Sequence, residues 1–92
     1  MYHRVLTKDE VARYPVQPGM YVLASVFAQQ MSFVRSNFTV LSLQELLDLW
    51  QRGEWSAQAR YCVITFDDGW LDNYRHAYPV LKQLHMPATI FL

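Results

Sequence analysis

Asp67 and Asp68 stand side by side at the end of the apolar run Tyr61–Phe66, and Gly69 follows at once. Adjacent carboxylates repel, and burying either is costly unless something positive compensates. One chemistry gives the pair a purpose: a carboxylate that binds a divalent cation beside one free to take a proton from water. Gly69 would allow the tight turn and close backbone approach that such a site needs. The bland alternative is a surface turn, because Asp-Gly is a common turn dipeptide.

The elements that must position these carboxylates alternate along the chain. Tyr61–Phe66 reads as a continuous strand covered on both faces. Sites in parallel α/β folds are built at the C-terminal ends of such strands. Upstream, residues 6–19 read as irregular, with turn formers at Pro15, Pro18 and Gly19. A helix is expected from Ser25, with Phe27, Gln30, Met31 and Val34 on one face. A short strand is expected at Phe38–Leu41. Ser42 and Glu45 then form a capping box for a helix whose apolar face is Leu43, Leu46, Leu47 and Trp50, stopped by Gly53. Downstream, a helical region at 71–84 should be interrupted near Tyr78-Pro79. Ala88–Leu92 reads as a further strand. The alternation predicts an α/β fold with a largely parallel sheet.

Composition sets outer limits. The 92 residues are enough for one small domain, with 52% hydrophobic residues and 15% aromatic, so the core should be rich in rings. Formal net charge is zero and no run of Lys or Arg exists, which gives no electrostatic footprint for nucleic acid. No apolar stretch reaches the ~20 residues of a membrane-spanning helix. With no apolar stretch after Met1-Tyr2-His3-Arg4, the expected compartment is cytoplasmic, unless the N-terminus is truncated. Cys62 is the single cysteine and reads as a small buried hydrophobe.

Wider motifs strengthen the catalytic reading. "TFDDGW", then Asp72-Asn73-Tyr74, then "PATIFL", together with "YHRV", "FAQQM" and "LSLQELL", resemble the polysaccharide deacetylase (NodB-homology) family from Tyr2 to Leu92. That resemblance implies a metal-dependent hydrolase removing N-acetyl groups from carbohydrate, built on a distorted (β/α) barrel. It implies Asp67 as general base and Asp68 as a ligand to a divalent metal, usually zinc. The family completes its metal site with an H-x-x-x-H pattern, and uses a later arginine and histidine as base support and acid. Here the histidines are His3, His76 and His85, and no two are four apart. A closed barrel takes roughly 200 or more residues. Residues 1–92 are therefore expected to be the N-terminal part of a deacetylase domain: a partial barrel, first strands and helices only.

Four further residues have readings of their own. His3 lies on the early strand implied by the resemblance, where its ring could approach substrate or serve structure alone. Trp70 could stack on a pyranose ring, line the pocket or join the core. Asp72 and Asn73 are expected to cap the helix after the turn, and His76 to be a solvated helix residue. The competing function is a non-catalytic remnant that binds carbohydrate or a partner without turnover. A haloacid dehalogenase-type phosphotransferase would want D-x-D, whereas position 69 is Gly.

Overall fold

Each parallel strand pair in this protein is joined by a helix, as parallel pairing requires. The computed structural model describes all residues, Met1–Leu92. Strand β1 (Arg4–Leu6) leads through helix α1 (Lys8–Arg13) to β2 (Tyr21–Leu23), its parallel partner. Helix α2 (Ala24–Asn37) crosses to β3 (Thr39–Val40), which pairs in parallel with β4 (Tyr61–Cys62) beyond helix α3 (Leu43–Gln51). Strand β5 (Thr65–Asp67) pairs in parallel with β6 (Thr89–Phe91), and between them lie a π-helical turn (Asn73–Ala77) and helix α4 (Tyr78–Gln83). A parallel bridge between Tyr2 and Phe66 ties β5 to the residues preceding β1. The result is the expected α/β architecture, an open run of parallel units consistent with part of a (β/α) barrel.

The apolar run 61–66 is one stretch in sequence and two strands in space. Its first residues belong to β3: Thr39 N–H donates to Arg60 C=O at 2.7 Å, and Leu41 N–H to Cys62 C=O at 3.0 Å. Its last residues change neighbours: Tyr2 N–H donates to Thr65 C=O at 2.8 Å, and Thr89 N–H to Ile64 C=O at 2.9 Å. The expected continuous strand thus breaks at Val63–Ile64 because its two ends pair with different partners. Burial still accounts for the composition, since Ile64 and Phe66 are both in the core.

Residues 6–19, expected to be irregular, contain α1. Thr7 and Glu10 form a second capping box: Thr7 N–H donates to Glu10 Oε1 at 2.9 Å and Glu10 N–H to Thr7 Oγ1 at 3.2 Å. The Ser42–Glu45 box is present as expected, with bonds of 3.0 and 3.1 Å. After α3, Gly53 adopts a left-handed φ of 66° that stops the helix. The apolar face of α3 is not buried in a core, however. Trp50 is mostly exposed and meets only the edge of Trp55, which packs on Tyr61 at 4.6 Å. Pro79 is accommodated rather than disruptive. The wide π turn ends just before Tyr78, so the proline occupies the first turn of α4, where no N–H is required.

The core lies where α2, the π turn and α4 cover β1 and β5, and it consists of Val5, Phe27, Met31, Ile64, Phe66, Ala77, Leu81 and Met86. Its centre is aromatic, as composition suggested. Tyr2 meets Phe27 edge-on at 5.1 Å and stacks on Phe66 at 5.7 Å. The Tyr2 hydroxyl donates to Gln30 Oε1 at 2.6 Å, and burial, with Cys62 adding to it, pushes the phenol above its ordinary range. Only 11 of 92 residues are buried, so the hydrophobic stabilisation available to the chain is small. No helix is long and apolar enough to cross a membrane.

Candidate functional site

Asp67 is the last residue of β5, and the two carboxylates that follow one another are anchored to opposite neighbours. Asp67 N–H donates to Tyr2 C=O at 2.9 Å, and Asp68 N–H to Phe91 C=O at 2.8 Å. The chain then turns through two consecutive left-handed residues, Asp68 at φ 74° and Gly69 at φ 62°. Aspartate is among the few residues that tolerate this region. Position 69 disfavours a side chain because its backbone is left-handed, at φ 62°.

This turn aims both carboxylates at His3. Its Nδ1 lies 3.8 Å from Asp67 Oδ2 and 3.9 Å from Asp68 Oδ2. Both distances exceed hydrogen-bond range, and the buried Nδ1 has no other partner. The structure therefore brings together three of the residues singled out in sequence: His3, Asp67 and Asp68. The side chains of His3 and Asp67 are about a quarter exposed and that of Asp68 is 61% exposed, so the cluster opens to solvent on the Asp68 side.

Trp70 sits at the edge of this cluster, against a different residue. The Arg4 guanidinium stacks 4.0 Å from the indole centroid. Arg4 is itself held by Asp72, with Nε and Nη2 donating to Oδ1 at 3.1 and 3.0 Å. The other Asp72 oxygen accepts the Val5 N–H at 2.8 Å. Asp72 is thus not a helix cap: it makes no capping bond and is buried against β1. The reason is that a buried carboxylate gains more from a guanidinium and a strand amide than from an exposed helix end. Asn73 is not a cap either, being buried with neither amide atom partnered. Arg4 and Val5 therefore hold Asp72 and Trp70, while His3 faces Asp67 and Asp68 without bonding either. Sequence reasoning had no signal for Arg4, since its partner lies 68 positions away.

His76 is also not simply solvated. Its Nε2 lies 2.8 Å from Glu10 Oε1, tying the π turn to α1. The Thr7 backbone N–H, helped by the Thr7 side chain and His76, holds the Glu10 carboxyl below its usual range despite an opposing effect of burial.

The residues present do not by themselves fit a zinc ion. Zinc sites use three or four protein ligands, and no group of three His, Cys, Asp or Glu side chains is arranged to hold one. His3 Nδ1 has no hydrogen-bond partner, and its cluster with Asp67 and Asp68 does not close into a ligand set.

Known proteins share this fold. The fold superposes on a de-N-acetylase from Aggregatibacter actinomycetemcomitans with a TM-score of 0.76 at 23% identity, covering 97% of this chain and 34% of that one. It superposes on IcaB from Ammonifex degensii with a TM-score of 0.74 at 33% identity, covering 98% and 35% of the two chains. The Streptococcus pyogenes deacetylase PplD, solved with acetate, gives a TM-score of 0.71 at 28% identity over 97% and 38%. These define the class as a deacetylase-type α/β fold. In sequence, residues 56–92 match the polysaccharide deacetylase family model. A stretch of 32 residues is 69% identical to Bacillus subtilis YxkH, a protein assigned to the polysaccharide deacetylases, and spans 34% of this chain and 12% of that protein. Residues 56–92, with the carboxylate turn, thus carry the sequence of the polysaccharide deacetylase family, and the fold of the preceding residues agrees. The chain spans about a third of the length of the solved structures that it matches.

Proposed function

We propose that this chain is the base-bearing part of a metal-dependent carbohydrate N-deacetylase. The observation that carries the proposal is the convergence of Asp67 and Asp68 on one point, at the end of a parallel strand within the family-matched segment. Asp67 accepts the proton of the water that attacks the acetyl carbon. The amide C–N bond then breaks, acetate leaves, and the sugar amine takes up a proton from an acid outside these residues. Asp68, the more exposed of the pair, is the one ligand this chain offers to a divalent metal, zinc by resemblance. Held there together with ligands from outside these residues, such an ion would supply Lewis-acid activation of water and of the acetyl carbonyl. His3 Nδ1 faces both carboxylates and lines the substrate side. Trp70 has one face covered by Arg4, which leaves the other for a pyranose ring.

A second reading applies to the chain by itself. Because His3, Asp67 and Asp68 do not close into a metal-ligand set, this reading has the 92 residues alone binding an N-acetylated carbohydrate without turnover.

Both readings are testable in a chimera in which this chain replaces the matched third of Ammonifex degensii IcaB. Asp68→Asn in the chimera is expected to lose zinc, read by metal analysis after dialysis, together with acetate release. In the isolated chain, zinc binding by calorimetry is expected to be weaker than micromolar. Tight binding there, abolished by Asp68→Ala, would show a ligand set complete within these residues and would contradict the proposal.

A further inference from the structure

Three side chains beside the carboxylates form a chain of restraints that runs from the core to the surface. Asp72 is 6% exposed, and its Oδ2 accepts the Val5 N–H at 2.8 Å, which fixes the carboxylate to β1. Its Oδ1 accepts from Arg4 Nε at 3.1 Å and Nη2 at 3.0 Å, which restrains the guanidinium at two of its nitrogens. The Arg4 side chain is 27% exposed, and its Cζ lies 4.0 Å from the centroid of the Trp70 indole. Trp70 ends the series at 45% exposed. Its backbone is held as well, since its C=O accepts the Asn73 N–H at 3.0 Å. An exposed side chain ordinarily keeps rotamer freedom, and here a buried ion pair restricts it. The same restraint ties the ring to the site. His3 faces Asp67 and Asp68, and the next residue, Arg4, carries the indole, so consecutive residues serve both. Trp70 follows Asp67 by three residues, which keeps their Cα atoms within about 11 Å of each other.

We propose that Arg4 is a positioning residue for carbohydrate: it acts through Trp70, locking the indole as a preformed platform for a pyranose ring beside the carboxylates. This rests on the deacetylase reading of the site and adds to it the residue that sets the platform. At an exposed ring a cation–π contact adds little to stability, so its main consequence is the orientation of the ring. A ring already held in place loses no side-chain freedom when a sugar packs on its open face, and that saving appears as affinity. Arginine suits this task and lysine does not. A planar guanidinium lies flat against an indole while two of its nitrogens are bonded elsewhere, whereas an ammonium is a point charge on a flexible stem. The other two indoles lack this backing: Trp50 and Trp55 meet edge-on at 83°, and the remaining cations that lie over rings are on Phe38 and Tyr78.

The test is affinity in the IcaB chimera carrying Asp67→Asn, which removes the proposed base and lets binding be read without turnover. Its dissociation constant for an N-acetylglucosamine oligomer is measured by calorimetry. Arg4→Lys keeps a charge opposite Asp72 and is expected to weaken binding roughly 2–10-fold. In the chimera that retains Asp67, KM is expected to rise by the same factor, with a smaller effect on kcat. Trp70→Ala is expected to weaken binding at least as much. Added to Trp70→Ala, Arg4→Lys is expected to cost nothing further, because both act through one ring. A purely structural Arg4 would instead lower the melting temperature and leave affinity where it was, and that result would overturn the proposal. So would fully additive losses in the double variant, or no affinity of the parent chimera for the oligomer. Acetate release by the chimera with Asp67 separates this proposal from the reading beneath it. Release together with unchanged Arg4→Lys affinity would sink the positioning role alone. Weakened Arg4→Lys binding without any release would support that role and contradict the assigned base.

Discussion

Asp67 and Asp68 illustrate how far a residue-level argument reaches. Two adjacent carboxylates followed by glycine could be read from sequence as a site or as a turn, and the structure shows a left-handed turn that brings the pair to 3.8 and 3.9 Å from His3 Nδ1. The approach of His3 was legible only through the resemblance of its segment, because nothing local places residue 3 beside residue 67. Arg4 and Asp72 were not legible, since a buried ion pair leaves no periodicity. Asp72 bonds a guanidinium and a backbone N–H while almost fully buried. Removing it leaves Arg4 and the Val5 amide unmet, so Asp72→Ala is expected to destabilise the chimera by about 2–4 kcal/mol, measured by urea titration. The same change should free the Trp70 ring, shifting its indole N–H resonance. An unchanged midpoint and resonance would show that the Arg4–Asp72–Trp70 stack is not held in solution. Gly69→Ala places a Cβ on left-handed backbone at φ 62° and is expected to cost roughly 1–2 kcal/mol in the same titration.

At the scale of elements, capping chemistry was readable at Ser42–Glu45 and misread at Asp72 and Asn73, which make no capping bond. Ser42–Glu45 announced α3, and the identical Thr7–Glu10 pattern announced α1, but the nearby prolines and glycine drew the whole segment toward an irregular reading. The division of 61–66 into β4 and β5 was not readable, because both halves are apolar and only their partners differ. Both capping glutamates carry a pH signature. Hydrogen bonds from the Thr7 and Ser42 backbone N–H groups hold the Glu10 and Glu45 carboxyls below their ordinary range. A carboxyl depressed on folding stabilises the fold above its unfolded pKa, near 4.5. That stabilisation is lost as pH falls through the lower folded value. Helical circular dichroism of the chimera is therefore expected to hold from pH 7 to about 5 and to decline below about 4.5. In a Glu10→Gln, Glu45→Gln double variant the decline should be shallower, with lower stability at pH 7. An identical acid profile in the double variant would remove these boxes from the account. Ser42→Ala alone is expected to cost about 1 kcal/mol.

For the molecule as a whole, the alternation of strand and helix was sufficient to give the parallel α/β class, and the solved deacetylases agree with it. Length alone predicts that 92 residues bury a modest fraction of their surface, but not where the exposed apolar surface falls. The α3 face and the β6 edge leave apolar side chains exposed, and dye binding by 8-anilinonaphthalene sulfonate is expected to be stronger in the isolated chain than in the chimera. The central claim is narrower: that these residues supply the base of a deacetylation. Acetate release from N-acetylglucosamine oligomers by the chimera tests it most directly, because the base there comes from this chain alone. The account predicts release by the wild-type chimera, none by the 92 residues in isolation, and a loss of at least about 100-fold in kcat for Asp67→Asn with its zinc content and melting temperature retained. Undiminished turnover by Asp67→Asn would contradict it.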